Sequence, residues 1–112
     1  MADKNYLKGE TPLLVLSLLS QEDKYGYQII AELDKCSEHV FQLKEGTLYP
    51  ILHALENDGA VQAYEQQTES GRMRRYYRIT GKGRRRLAAE AREWRQYSRQ
   101  MEKVLVECGV EV

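Results

Sequence analysis

From about Thr80 onward the chain reads as one long helix, with little left in its own sequence to cover it. That stretch holds no proline, and its glycines fall near the two ends. Leu87, Ala91, Trp94, Ser98, Met101, Leu105 and Cys108 follow one another at alternating spacings of four and three. This is a heptad seam of about three repeats, the pattern that packs one helix lengthwise on another. The chain has 112 residues, enough for one small domain plus this helix but too few to bury the seam as well. The economical partner is a second copy, with Leu87, Ala91, Trp94, Met101 and Leu105 at the dimer interface. The chain accordingly divides into a folded unit over residues 1–80 and a dimerisation helix over 81–112.

The first unit opens with helices. Thr11 and Pro12 start the first: threonine suits the cap, and proline suits the first helical position, where a missing N–H costs little. Leu13, Leu14, Val15, Leu16, Leu18 and Leu19 make this helix apolar almost all round, which places it centrally. A second helix lies within Tyr25–Cys36, with Ile29, Ile30, Leu33 and Cys36 on one face. After a loop from Ser37, Leu48, Ile51, Leu52 and Leu55 mark the apolar face of a third helix. Gly59 ends it as a left-handed terminator. Pro50 is tolerable in or near the first turn, which puts the start near Gly46 or Thr47, with Thr47 able to serve as a cap. The opposite face carries Gly46, Pro50, His53 and Asn57, flanked by Thr47 and Tyr49.

Two strand-like runs follow, 61–66 and 73–80, joined by the turn chemistry of Thr68-Glu-Ser-Gly-Arg72. In the second, Met73, Arg75, Tyr77 and Ile79 share one face, and Arg74, Tyr76 and Arg78 the other. Tyr77 and Ile79 suit the core beneath the hairpin, and Tyr25 and Tyr27 read as packing residues.

Charge sharpens this picture. The net charge is zero, yet residues 1–71 carry 5 basic and 12 acidic side chains, and residues 72–112 carry 12 basic and 5 acidic. Within 72–86 stand Arg72, Arg74, Arg75, Arg78, Lys82, Arg84, Arg85 and Arg86, with no acid among them. A field depends on where charges sit, so electroneutrality does not exclude a nucleic acid. It implies weaker indiscriminate binding than a uniformly basic protein would show.

Other classes fit less well. Cys36 and Cys108 have no metal-ligand or disulfide-framework spacing and read as reduced thiols of a cytoplasmic protein. The polar start Met1–Glu10 is unlike a signal peptide, and no apolar run approaches membrane-spanning length. No residue set points to catalysis, a metal or a cofactor.

The order helix, helix, helix, basic hairpin, long helix predicts a mainly α fold with a small β-hairpin: a winged helix-turn-helix domain plus a long C-terminal dimerisation helix. Double-stranded DNA suits it as a partner. Lys44, Gly46, Thr47, Tyr49, Pro50 and His53 would approach the major groove from the third helix, and Arg72, Arg74 and Arg75 would meet phosphates or the minor groove from the wing. The alternative is a winged-helix protein-interaction module that does not read DNA, which would need an exposed apolar patch beyond the dimer seam.

The segments Tyr25-Gly-Tyr-Gln-Ile, Gly46-Thr-Leu-Tyr-Pro-Ile-Leu-His-Ala-Leu-Glu-Asn-Asp-Gly59 and Gly71-Arg-Met-Arg-Arg-Tyr-Tyr-Arg-Ile-Thr80 with Gly83 stand in the order of three motifs of the PadR family of bacterial transcriptional regulators. The chain resembles that family over roughly residues 7 to 108, and most closely its compact subgroup with one C-terminal dimerisation helix. The resemblance implies a homodimeric repressor that binds an inverted-repeat operator and leaves it when a small effector binds. It also implies a ligand site for planar aromatic compounds at the dimer centre, with Trp94 as platform, Ser98 beside it and Leu13 of the first helix lining it. Ala91 and Ser98 depart from the bulkier aromatic and the acid of that subgroup.

Overall fold

The computed structural model describes residues 9–111, so most of the polar start lies outside them. The elements are α1 (Thr11–Leu19), β1 (Lys24–Tyr25), α2 (Gly26–Cys36), α3 (Glu45–Asn57), β2 (Val61–Gln67), β3 (Met73–Ile79) and α4 (Gly81–Glu107). The fold is the expected one, mainly helical with a wing and a long last helix. It adds one strand: the two residues of β1 pair antiparallel with β3, so the sheet has order β1-β3-β2. No alternation marks so short a strand in the sequence; tertiary docking on β3 creates it.

Apolar faces of the three helices meet over the sheet. Val15 and Leu16 of α1, Ile29 of α2, Leu48, Leu52 and Leu55 of α3, Val61 of β2 and Tyr77 of β3 are buried together. α1 begins at Thr11 itself, with Glu10 in the cap position and making no side-chain cap bond, and Thr11 is buried. The threonine therefore sits inside the helix rather than capping it, and Pro12 follows at the second position. Cys36, expected on the apolar face of α2, is exposed because the helix ends there. Lys24 is 1% exposed, with its ammonium 3.3 Å from Glu22 and 3.6 Å from Glu32.

α3 starts one residue earlier than expected, at Glu45, which places Pro50 as its sixth residue. The bond that Pro50 cannot donate would have reached the Gly46 carbonyl. Both residues lie on the exposed side of α3, where water can serve that oxygen. Thr47 lies in the first turn rather than at the cap, which is Lys44. At the other end Gly59, at φ 81°, closes a two-bond terminator: its N–H reaches the Glu56 carbonyl at 3.0 Å, and the Ala60 N–H reaches that of Leu55 at 2.9 Å.

Thr80 links the wing to α4. Its hydroxyl donates to the Gly59 carbonyl at 2.6 Å and accepts from the Gly83 N–H at 3.0 Å. Gly83 is buried so closely against the Ala60 carbonyl that a Cβ there would collide with it. The first turns of α4 pack on α1, and Leu87 rests against the core of its own chain. Beyond them the helix runs free to Glu107 and ends on Gly109 with the same two-bond terminator, Gly109 to Val106 and Val110 to Leu105.

Candidate nucleic-acid interface

The exposed side of α3 is formed by Gly46, Thr47, Pro50, His53 and Asn57, with Lys44 and Glu45 at its start, all open to solvent. It follows from the same spacing that buries Leu48, Leu52 and Leu55, since residues off that stripe must face away from the core. Tyr49 differs from its neighbours. It is half-buried, and its hydroxyl lies so near Gly26 that a Cβ at that glycine would strike it. Burial first, then the Glu45 carboxylate and Tyr77, raise this hydroxyl above its ordinary value of 10.0. Tyr49 thus wedges α3 against the start of α2, and Gly26 makes the wedge possible.

The hairpin carries its arginines in two conditions. Arg75 lies 3.5 Å from Glu56 in the last turn of α3, and Arg78 lies 3.5 Å from Asp23 in the turn after α1. Lys82 and Arg86 both reach Asp58, at 3.5 and 3.2 Å, and Arg86 also holds Glu90 at 2.7 Å. Among the described residues, Arg72, Arg74, Arg84 and Arg85 have no acidic partner; Arg84 instead approaches the Ser20 carbonyl at 3.5 Å. The unbroken basic run of the sequence is therefore partly neutralised by acids from remote segments. What stays unpaired on the wing is Arg72 beside its tip and Arg74 on β3.

Four tyrosines brace the wing, three of them in a ladder. The Tyr64 ring stacks on Tyr76 at 5.7 Å, and Tyr76 meets Tyr25 edge-on at 5.5 Å. Tyr64 donates to Asp23 at 2.6 Å, a bond that raises its hydroxyl above the ordinary value. Tyr77 is buried beneath them, as its position next to Ile79 on the inner face requires. Tyr64, Tyr76 and Asp23 carried no functional signal in the sequence. Asp23 and Arg78 stand 55 residues apart, and only the fold joins them.

A second feature lies on α4. Trp94, Met101 and Leu105 are 47, 49 and 41% exposed, and Tyr97 and Val104 widen the stripe on one flank. Ala91 and Ser98 are half-buried. The heptad template missed Tyr97 and Val104 because each lies one residue before a seam position, Ser98 and Leu105, rather than on it. Between the start of α1 and α4 runs a groove of about 380 Å³ lined by Leu13, Glu90, Glu93, Trp94 and Tyr97, among others. It brings Leu13 and Trp94 together but does not include Ser98. Carboxylates stand one and four residues before Trp94 instead.

Among the described residues no helix is long and apolar enough to cross a membrane, and no three His, Cys, Asp or Glu side chains are placed to hold a metal.

The model of the transcriptional regulator PadR-like family matches residues 15–89, from α1 to the first turns of α4. Over 98 residues the chain is 33% identical to the transcriptional regulator Rv3488 of Mycobacterium tuberculosis, covering 88% of each chain. It is 34% identical over 94 residues to an uncharacterized protein of Lysinibacillus sphaericus, covering 84% of this chain and 86% of that one. Its fold is similar to a transcriptional regulator from Clostridium thermocellum, with TM-score 0.81 and 29% identity over 88% of this chain and 96% of that chain. A PadR-like transcriptional regulator from Bacillus cereus aligns with TM-score 0.79 and 29% identity over 90% of this chain and 96% of that chain. The match takes in the helices, the wing and the start of α4 as one continuous unit, and the chain belongs to the PadR-like family of transcriptional regulators.

Proposed function

We propose that this PadR-like regulator is a homodimeric repressor that binds an inverted-repeat operator in duplex DNA and leaves it when a small planar aromatic effector binds. The observation that carries the reading is the exposed side of α3 beside a wing whose Arg72 and Arg74 have no acidic partner among the described residues. Lys44, Gly46, Thr47, Pro50 and His53 meet the major groove, where base edges carry sequence information. Arg72 and Arg74 take phosphates. Tyr49 sets the approach of α3 through its wedge on Gly26, and Arg75 fixes the wing to α3 through Glu56.

Dimerisation supplies the second half-site. Trp94, Met101 and Leu105 meet a second copy, with Leu87 and Ala91 at the base of the contact, and Tyr97 and Val104 extend it. The effector lies in the groove of Leu13 and Trp94. Ser98, on the dimer side of α4, meets it only if the partner closes the groove. Glu90 at its wall is held by Arg86 at 2.7 Å, which leaves Glu93 to favour an aromatic compound that carries positive charge.

Selection of bound fragments from the source genome, followed by fluorescence anisotropy on the enriched duplex, tests the reading. Affinity should fall with salt at a log–log slope of about −0.9 per phosphate neutralised. Binding indifferent to both sequence and salt would sink the proposal. Titration of planar aromatic compounds should quench Trp94; a flat response across a broad panel removes the effector from the reading and leaves the DNA-binding part standing.

A further inference from the structure

Three wing arginines lean on tyrosine rings, and they are not equivalent. Arg78 lies 4.9 Å from the Tyr64 ring centre and Arg75 lies 5.9 Å from that of Tyr77. Each of these two also faces a carboxylate at 3.5 Å, Asp23 for Arg78 and Glu56 for Arg75. Arg74 makes the closest stack, 4.2 Å from the centre of the Tyr25 ring, and among the described residues it has no acidic partner. A guanidinium laid on an aromatic face keeps its N–H donors free at the rim, in the fork that matches a phosphate.

The register explains the contact. Tyr25 is paired with Tyr76 across β1 and β3, and Arg74 stands two residues before Tyr76 on the same face. That places Arg74 diagonally within reach of the Tyr25 ring. Because β1 ends at Tyr25, the arginine projects past the strand towards the start of α2. The ring itself is held. Tyr76 packs edge-on to it, Tyr64 stacks behind Tyr76, and Asp23 anchors Tyr64 at 2.6 Å. The Tyr25 backbone N–H donates to the Gln28 side chain at 3.1 Å.

We propose that Tyr25 is a positioning residue for DNA binding, whose ring holds the Arg74 guanidinium ready for a backbone phosphate. The ladder from Asp23 to Tyr25 carries no sequence information and reads no base. It lowers the cost of ordering one long side chain at the interface, which otherwise weakens each arginine contact. Of the wing arginines that rest on rings, Arg74 is the one left to the nucleic acid, while Arg75 and Arg78 hold the wing to the helices. The inference rests on the DNA-binding reading above.

The test uses the full chain and a fluorescein-labelled mixed-sequence duplex of about 30 base pairs, long enough for two half-sites a turn apart. Anisotropy is followed across a salt series. Arg74→Ala should lower the slope by about 0.9 for each phosphate that the side chain neutralises. Tyr25→Leu should weaken binding about two- to tenfold, the cost of ordering one long side chain at an interface, while Tyr25→Phe restores wild-type affinity. In the Arg74→Ala background Tyr25→Leu should add nothing. Arg74→Lys keeps the charge at a half-buried position and so tests the stack even where Tyr25→Leu fails to fold. It should retain the slope and lose affinity about two- to tenfold. Wild-type affinity in Arg74→Lys, or additive effects of Arg74→Ala and Tyr25→Leu, overturns the proposal. A wild-type protein with no salt-dependent binding overturns the DNA-binding reading along with it, which separates the two failures.

Discussion

Val15, Leu16, Ile29, Leu48 and Leu52 in the winged-helix head are each 0% exposed, whereas no residue of α4 beyond Gly83 reaches full burial. Both regions are amphipathic, and both are legible as such in the sequence. The head closes its apolar faces on one another: α1 lies among α2, α3 and the sheet, and each stripe finds its cover within the chain. The far half of α4 keeps Trp94, Tyr97, Met101, Val104 and Leu105 open to water. A helix of this length gains little from its own hydrogen bonds in water and is stabilised mainly by packing. The head is therefore a self-contained core, and the distal helix leaves an apolar stripe open to water.

Four outcomes would break or sharpen that contrast. The largest belongs to the head. Leu52→Ala removes a fully buried side chain between α3 and its neighbours and should cost about 2–5 kcal/mol in urea unfolding followed by circular dichroism. A loss well below that range would mean that the head is looser than its burial implies. Next is Leu105→Glu on α4. If the proposed dimer forms through this stripe, it should shift the mass seen by light scattering towards that of one chain while the head keeps its helical signal; a mass unchanged by the substitution would remove Leu105 from the proposed interface.

A smaller effect is expected where the two regions join. Asp58→Ala strips the shared partner from Lys82 and Arg86 and should lower stability by about 1 kcal/mol or less, since half-exposed pairs are worth little. A salt-insensitive loss of several kcal/mol would show that the junction, rather than the core, supports α4. The smallest effect is alkaline. Tyr49, chiefly by burial, and Tyr64, chiefly by its bond to Asp23, hold their protons more tightly in the folded chain than the ordinary value of 10.0. The folded state then binds more protons than the unfolded one. Their contribution is complete below that value and is lost as pH rises through the folded values. Urea unfolding between about pH 8 and 11 should show this loss in the wild type and a shallower one in a Tyr49→Phe/Tyr64→Phe double variant.

Much of the fold is legible in the order of residues along the chain. The stripe Leu48, Leu52 and Leu55, the terminator Gly59 and the inward Tyr77 and Ile79 stand where periodicity and turn chemistry put them. The departures are local. Thr11 lies within α1 because the preceding Glu10 takes the cap position, and Pro50 is admitted deeper in α3 because the oxygen it deprives of a donor faces water. The candidate interface is harder to read. The exposed side of α3 follows from the buried one, but Tyr49 turns inward, because the missing side chain at Gly26 opens a space that no pattern records. The groove proposed for an effector departs from the sequence expectation for a similar reason: the approach of α1 to α4 brings Leu13 and Trp94 together with Glu90 and Glu93 and leaves Ser98 outside.

Charge marks the boundary between the two kinds of knowledge. The sequence alone determined that positive side chains crowd into residues 72–86 and that α4 carries a heptad seam. Both are properties of neighbours along the chain, and local periodicity preserves them. Only the tertiary structure decided which of those charges stay free. Asp23, Glu56 and Asp58 come from α3 and from the turns after α1 and α3, and they reach Arg78, Arg75, Lys82 and Arg86 only after the helices have packed on the sheet. Coulomb attraction depends on distance through space, and packing fixes that distance.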